Sequence, residues 1–223
     1  MGDMRELEDA LRDTALPRGD VGADMAAGRF AARAEDEGLL EVAYGAVESP
    51  FGELLAAVTP RGLLRLSYDP SRNDSVLEEI AAKVSPRVLE APPKLDPVRR
   101  ELEEYFEGRR RDFDLKLDWG LTRGFFQKIL RATARLGFGE LATYKQMAEA
   151  AGSPRAVRAA GNALGSNPIP IVVPCHRIVR TGGKLGGYGG ELGPYIGGPG
   201  VKRHLLELEG ALDERGRPRL PGA

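Results

Sequence analysis

The sequence predicts an α+β protein in which a small strand-rich unit precedes a mainly helical one. Residues 40–68 carry three short strand-like segments that are separated by turn signals. After Gly120 the apolar residues recur instead at the spacing of amphipathic helices. Runs of strands followed by runs of helices are typical of α+β architectures or of separate domains.

An extension of 39 residues precedes the first strand. Met4, Leu7 and Leu11 fall at helical spacing, but Pro17 interrupts the pattern and a small-residue, acidic stretch follows. The extension contains 5 Arg against 10 Asp and Glu, which argues against a DNA-binding arm. We expect residues 1–39 to be mobile or loosely docked.

The first unit, residues 40–118, begins as an antiparallel meander. Strands are predicted at 40–47 and 52–58, on either side of the turn signal Ser49-Pro50-Phe51-Gly52, and a third strand at 63–68. Consecutive short strands with such tight connections pair most simply in antiparallel fashion.

Two helices follow the meander. Their periodicity places them at 76–84 and 97–106, with Asp96 as the N-cap of the second helix. Residues 113–117 alternate between apolar and polar side chains, which predicts an edge strand.

The second unit, residues 119–212, reads as a series of helices. One is predicted from a Thr122 cap to about Leu136, and another follows a Thr143 cap. A last helix is predicted at about 200–209, after a glycine-rich stretch that is interpreted as a flexible surface loop. Residues 213–223 are expected to be a C-terminal tail.

A third helix, at about 155–164, completes a predicted helix-turn-helix. It follows the second helix after a Gly-containing turn, which is the signature of that motif. Its apolar face is predicted to consist of Val157, Ala160, Gly161 and Leu164, and Arg155, Arg158 and Asn162 lie opposite. Many helix pairs pack in this way without touching DNA, so the motif alone does not establish a DNA-binding protein.

The charge is distributed unevenly along the chain. Residues 121–205 contain 12 Lys and Arg against 3 Asp and Glu, a net charge of +9. Because the whole chain has a net charge of −1, the remainder carries −10. Such asymmetry favours a half that binds a polyanion, although a chance cluster of solvated charge is an equal alternative.

Composition excludes several classes of protein. No apolar run reaches the length of a membrane span, and the acidic N-terminus lacks the apolar core of a secretory signal. The single cysteine cannot form an internal disulfide, so we expect a cytoplasmic protein. One Cys and two His are too few for a Cys/His zinc site, and no metal or other cofactor is expected.

The cysteine lies in an unusual setting. A buried apolar run at 169–173 leads into Pro174 and then into Cys175, His176 and Arg177. Cationic neighbours lower the pKa of a thiol, and the thiolate is its nucleophilic form. This pattern favours a reactive cysteine over a structural one.

This stretch resembles the signature of the O6-alkylguanine-DNA alkyltransferases. The matching segments are Asn167-Pro168, the apolar run, Pro174-Cys175-His176-Arg177, and upstream Tyr144 and Ser153-Pro154-Arg155-Ala156-Val157-Arg158. The similarity covers roughly residues 44–210 and is densest over 138–179. It implies a ribonuclease-H-like N-terminal half and a helix-turn-helix half that carries the acceptor.

The resemblance implies roles for five catalytic residues. Cys175 matches the alkyl acceptor, and His176 matches the residue that activates it through a water. Glu209 matches the carboxylate that polarises this histidine. Asn167 matches the residue that holds the turn between the recognition helix and the active-site strand, and Tyr144 matches the proton donor to the leaving guanine.

The resemblance also implies how DNA is bound. The third predicted helix would lie in the minor groove, and Arg158 would enter the base stack in place of a flipped nucleotide. Further expected DNA contacts are Arg155, Ala156, Asn162 and Arg177. The expected substrate pocket consists of Pro170, Val173, Tyr188, Gly189 and Gly190.

The implied activity is single-turnover repair by a monomer. An alkyl group would move from O6-alkylguanine, or from O4-alkylthymine, in double-stranded DNA to Cys175. The chain departs from the family at Gly189, where Ser or Thr is common, and in a loop at 191–200 that is longer than usual. Three alternatives remain: an alkyltransferase-like protein that binds lesions without transfer, a thiol hydrolase and a helix-turn-helix regulator.

Overall fold

The computed structural model describes residues 33, 40–182, 184–185 and 198–220. The predictions made for Tyr188, Gly189, Gly190 and the loop from 191 to 197 lie outside the described residues. So do those for the N-terminal extension, with the exception of Arg33.

A four-stranded sheet forms the N-terminal half. Strands β1 (Val42–Val47), β2 (Leu54–Thr59) and β3 (Gly62–Ser67) pair in antiparallel fashion, which confirms the predicted meander. A fourth strand, β4 (Val88–Glu90), adds to β1 in parallel, so that the order is β3-β2-β1-β4. The sequence analysis missed β4 because three residues are too few to show an alternating pattern.

One helix covers each face of this sheet. Helix α1 (Asn73–Lys83) packs Val76 and Ile80 against one face, and helix α2 (Asp96–Phe106) packs on the other. The predicted N-cap of α2 is wrong. Asp96 is the first helical residue, preceded by a 3-10 turn at Pro92–Leu95, and its carboxylate accepts a hydrogen bond from Arg99 instead.

The strand predicted at 113–117 does not form. These residues form no regular element and make one isolated bridge, between Leu63 and Leu117. The Leu63 amide donates to the Lys116 carbonyl, and the Leu63 carbonyl accepts from the Asp118 amide, both at 2.8 Å. This short contact covers the start of β3 without continuing the ladder.

The described C-terminal half contains four α-helices: α3 (Gly124–Thr133), α4 (Tyr144–Ala150), α5 (Val157–Gly165) and α6 (Gly198–Leu208). A short parallel ladder joins β5 (Ala142–Thr143) to β6 (Ile178–Val179).

The predicted order of the helices is confirmed, but several ends differ. Thr122 does not cap α3, since its hydroxyl donates to the Trp119 carbonyl and Arg123 occupies the N-cap position. Helix α3 also ends at Thr133, three residues before the predicted end.

Helices α4 and α5 form the predicted helix-turn-helix. Thr143 caps α4 in a full capping box with Gln146, as its position predicted. Gly152 has a φ of +77° in the connection, a conformation that glycine adopts without strain. Val157 is 38% exposed rather than part of the apolar face, because α5 begins at this residue and turns it outward.

The two halves share one apolar core. Buried residues of β2, β3 and α2 belong to the same cluster as those of α3, α5 and the turn before Cys175. The Leu66 amide donates to the Pro168 carbonyl at 2.8 Å, so β3 contacts that turn directly. Within the described residues, no helix is both long and apolar enough to cross a membrane.

Candidate active site

Cys175 lies in a short 3-10 turn between a buried loop and β6. The turn spans Cys175–Arg177, and all three side chains are buried. Because β6 pairs with β5, which leads directly into α4, the ladder ties the cysteine turn to the start of the helix-turn-helix. The expected active-site strand before Cys175 is instead a series of turns, with the apolar run buried as predicted.

Asn167 holds this loop and contacts the sulfur. Its Oδ1 accepts from the Ile169 amide at 3.0 Å, and its Nδ2 donates to the Val173 carbonyl at 2.8 Å. The same Nδ2 lies 3.1 Å from Cys175 Sγ. One buried amide therefore fixes the loop backbone at two points and offers a donor to the sulfur.

The loop contains one residue in an unusual conformation. Ile171 has a φ of +71°, which a β-branched side chain rarely adopts. A hydrogen bond at 2.9 Å from the Val173 amide to the Ile169 carbonyl spans the residue. Such strain persists where the surroundings dictate the backbone, and it occurs preferentially at functional sites.

Glu209 is the centre of a buried hydrogen-bond network. Its Oε1 lies 2.9 Å from His176 Nε2 and accepts from Tyr105 at 2.7 Å. Arg177 donates to both carboxylate oxygens, at 2.8 and 2.9 Å, and the Gly139 amide donates to Oε2 at 3.1 Å. Burial acts to raise the pKa of Glu209, but the hydrogen bonds and charges of His176 and Arg177 outweigh it and hold the pKa far below its usual range.

His176 is fully buried and uses one ring nitrogen for Glu209. Burial lowers the pKa of His176, although the hydrogen bond that it donates to Glu209 acts in the opposite direction. The imidazole is therefore neutral at pH 7. Its Nδ1 makes no hydrogen bond with any described residue, which leaves that nitrogen available for proton exchange.

Arg177 does not lie where the expected DNA contact requires it. The side chain is buried, held by Glu209 on one side and by the Leu136 carbonyl at 2.5 Å on the other. The sequence analysis expected Arg177 among the DNA contacts. Its distant partners turn it inward, and we assign it to the Glu209 network.

Tyr144 is the first residue of α4, and its hydroxyl is close enough to Cys175 to interact with the charge of an ionised sulfur. Burial raises the pKa of its hydroxyl, and the charge of an ionised Cys175 raises it further. Tyr144 therefore stays protonated at neutral pH. Gly161 of α5 lies against its ring, where a Cβ would be 3.8 Å from Cδ1.

Sequence reasoning missed Lys202, which is buried near the sulfur. Its ammonium group donates to the Ile178 carbonyl at 2.5 Å. Burial lowers the pKa of Lys202 to about 8, while an ionised Cys175 acts to raise it. This attraction is mutual, so the ammonium stabilises the ionised sulfur. Lys202, Leu205 and Glu209 follow an i, i+3, i+7 pattern, which is the signal that would have placed Lys202 on the inner face.

Gly139 is a second residue that the sequence analysis did not single out. It has a φ of +73°, and a Cβ at this position would lie 2.8 Å from the Glu209 carbonyl oxygen. Only glycine lets this backbone come close enough for its amide to reach the carboxylate.

The expected DNA-contacting residues lie on and before α5. Arg155, Arg158 and Asn162 are exposed, and Ala156 is the half-buried N-cap of the helix. Arg155 and Ala156 therefore precede the helix instead of belonging to it. Arg158 forms no ion pair with any residue that the structure describes.

The structure describes two of the five expected pocket residues. Pro170 and Val173 are buried in the loop before Cys175. Within residues 40–182 and 198–220, no three His, Cys, Asp or Glu side chains group in a way that could hold a metal ion.

Comparison with known proteins matches both halves to one family. Residues 42–119 match the ribonuclease-like domain of 6-O-methylguanine DNA methyltransferase, and residues 124–211 match its DNA-binding domain. A methylated-DNA–protein-cysteine methyltransferase of Methanosarcina barkeri is 35% identical over 166 residues, which are 74% of this chain and 96% of that protein. A constitutive enzyme of the same name from Bacillus subtilis is 38% identical over 171 residues, covering 74% and 94%.

Solved structures agree with this match. The Mycobacterium tuberculosis OGT in complex with DNA superposes with a TM-score of 0.60 at 35% identity, over 75% of this chain and 93% of that one. The Mycobacterium tuberculosis O6-methylguanine methyltransferase gives a TM-score of 0.58 at 33% identity, over 82% and 96%. With both domain models matched over most of its length, the chain belongs to the 6-O-methylguanine DNA methyltransferase family.

Proposed function

We propose that this protein repairs DNA by moving an alkyl group from O6 of guanine to Cys175, once per molecule. The observation that carries the proposal is the arrangement around the sulfur. A buried thiol with an amide donor at 3.1 Å adjoins a neutral histidine that is held by a carboxylate. This arrangement is tied through β5 and β6 to a helix-turn-helix.

Lesion recognition begins at α5. A base paired inside a duplex cannot reach a buried sulfur, so the damaged nucleotide must be flipped out. The exposed face of α5 has small residues beside the exposed Arg158, which suits close approach to a minor groove about 6 Å wide. Arg158 would occupy the gap in the base stack.

The transfer step balances without a cofactor. Cys175 loses its proton toward His176 Nδ1, through a water, and the sulfur attacks the alkyl carbon in line. A carbon–sulfur bond forms, the bond from that carbon to O6 breaks, and its electron pair leaves with the guanine. Tyr144 protonates the guanine, and its own proton is replaced from His176.

The charges of the site favour this direction of proton flow. Neutral His176 can accept a proton, and the Glu209 carboxylate stabilises the imidazolium that forms. The product is a thioether, and the chain has no second cysteine with which to displace it. Because the lone cysteine must stay reduced, we infer a reducing compartment such as the cytoplasm, and we propose that one monomer acts on one lesion.

Intact mass measurement tests this function. A duplex with one O6-methylguanine should add a single methyl mass to the full chain, and unmodified duplex should add nothing. Cys175→Ala should bind the modified duplex but gain no mass, since the helix-turn-helix is untouched.

The alternative functions predict different combinations of lesion binding and mass change. A lesion-binding protein would show binding without a mass change in the unmutated chain. A thiol hydrolase or a regulator would show neither lesion-dependent binding nor alkylation. Repeated turnover without added thiol would contradict the single-use mechanism.

A further inference from the structure

We propose that Tyr105, in the ribonuclease-like half, is a positioning residue for alkyl transfer that acts through Glu209 on His176. The inference rests on the proposed function and assigns part of it to the N-terminal half. It concerns a buried residue that acts on the carboxylate behind the histidine.

The geometry brings Tyr105 to the same oxygen that binds the histidine. Its hydroxyl lies 2.7 Å from Glu209 Oε1, and His176 Nε2 lies 2.9 Å from that atom. Tyr105 and Glu209 are 104 residues apart and belong to different halves of the molecule. The hydrogen bond therefore joins the sheet-covering helix α2 to the catalytic network.

The ring of Tyr105 has little freedom to move. It is 0% exposed and packs against three aromatic rings from both halves: Phe106 at 5.4 Å, Phe113 at 5.2 Å and Phe138 at 6.2 Å between centroids. A side chain fixed on several sides holds its hydroxyl in one place, and thereby limits the positions that the Glu209 carboxylate can adopt.

The hydroxyl is a permanent donor. Burial raises the pKa of Tyr105 far above its usual range, and the negative charge of Glu209 adds to the effect. The proton therefore stays on the tyrosine and points at Oε1. A donor that shares this oxygen withdraws part of the negative charge that the carboxylate offers to His176.

Removal of the Tyr105 hydroxyl should therefore change the pKa of His176. With one donor fewer, Glu209 Oε1 becomes a stronger partner for protonated His176, and the pKa of His176 rises. A higher pKa leaves less neutral imidazole to accept the thiol proton on the acid side of neutrality. A tyrosine that merely joined the two halves would affect stability without moving the pH dependence.

The test compares Tyr105→Phe with the unmutated full chain. Rates of transfer would be measured from pH 5 to pH 9, with a methylated duplex and with free O6-benzylguanine. We expect the acid limb of the plot of transfer rate against pH, where the rate falls as His176 becomes protonated, to lie about half a pH unit higher in Tyr105→Phe. A shift of this size corresponds to one lost hydrogen bond. At pH 6 the rate should fall roughly twofold to threefold for both substrates, because base flipping is unaffected.

Tyr68→Phe is the matched control. Tyr68 is also buried in the N-terminal half and packs its ring on Phe51 at 6.1 Å, but the tyrosine hydroxyl that donates to Glu209 is that of Tyr105. Tyr68→Phe removes the same atom and should leave the acid limb unchanged. Equal shifts in the two variants would overturn the proposal.

A second substitution covers the case in which Tyr105→Phe is too unstable to assay. Site-specific 3-fluorotyrosine at position 105 keeps the shape and makes the hydroxyl a stronger donor, so the acid limb should move down. An acid limb that stays in place in every stable variant, while the unmutated chain alkylates normally, would overturn this inference alone. Absence of alkylation in the unmutated chain would instead overturn the proposed function.

Discussion

The buried network around Glu209 and the exposed face of α5 differ in whether their charged side chains have partners within the protein. Glu209 receives hydrogen bonds from four residues and is buried among them. Arg158 is exposed to solvent and has no ion-pair partner among the described residues. The first region has its partners within the protein, and we propose that the second finds its partner in DNA.

The difference follows from the cost of burying charge. An ion removed from water is tolerated only where partners replace its hydration, so the Glu209 network has to be closed within the protein. An exposed arginine keeps its water and remains available for a ligand. In the proposed mechanism, the groups around Cys175 are therefore held in place before binding, and access to the lesion depends on contact between α5 and the duplex.

The largest expected effect comes from removing the carboxylate at the centre of the buried Glu209 network. Glu209→Ala leaves Arg177 and His176 buried without their carboxylate, which should reduce the free energy of unfolding by about 3–5 kcal/mol and abolish transfer. Urea unfolding and the mass assay measure the two effects. Glu207→Gln is the control, because Glu207 lies in the last turn of α6, two residues before Glu209, with its side chain about half exposed, and its ion pair with Arg203 spans 3.6 Å. A comparable loss of stability in both variants would mean that the closed network is not what stabilises this region.

A smaller effect should appear in the pH dependence of that stability. The folded-state pKa of Glu209 is lowered, so its stabilising contribution is present above the unfolded value of about 4.5 and is lost as the pH falls towards the folded value. The difference in unfolding free energy between the unmutated chain and Glu209→Gln should therefore be constant above pH 5 and shrink below pH 4.5. Chemical denaturation from pH 3 to pH 7 measures it. A difference that grows in acid would contradict the assigned ionisation.

A substitution on the exposed face of α5 should have the smallest effect on the free energy of unfolding. Its effect on the transfer rate should depend on the substrate. Arg158→Ala should leave the unfolding free energy unchanged but slow transfer from duplex DNA roughly tenfold to a hundredfold, because unstacking a base costs a few kcal/mol. Transfer to free O6-benzylguanine needs no flipping and should be nearly unchanged. A lesion in a mismatch or a single strand should show an intermediate reduction in rate.

Arg155→Ala separates stack filling from simple phosphate binding. Arg155 is exposed three residues earlier, before α5 begins. If Arg155 binds a phosphate, its replacement by alanine should weaken DNA binding uniformly and lower the salt slope by about one. If Arg158→Ala behaves in the same way, with equal reductions in rate on duplex, single-stranded and free-base substrates, Arg158 does not drive base flipping.

Local sequence was sufficient for the elements whose signals are local. The meander, the Thr143 cap and the paired helices α4 and α5 follow from turn residues, capping chemistry and periodicity within about ten residues. Finer boundaries were less predictable. Asp96 and Thr122 have the right side chains for caps, but neighbouring backbone turns displace both from the cap position.

The sequence by itself determined which residues we propose for the chemistry, because Asn167, Cys175 and His176 are close in the chain and their spacing is specific. Only the tertiary structure decided which groups surround them. The contacts of Glu209 with Gly139 and Tyr105 span 70 and 104 residues, and no local pattern predicts such contacts. Arg177 turned inward for the same reason: whether a charged side chain faces water or a buried carboxylate depends on where distant segments come to lie.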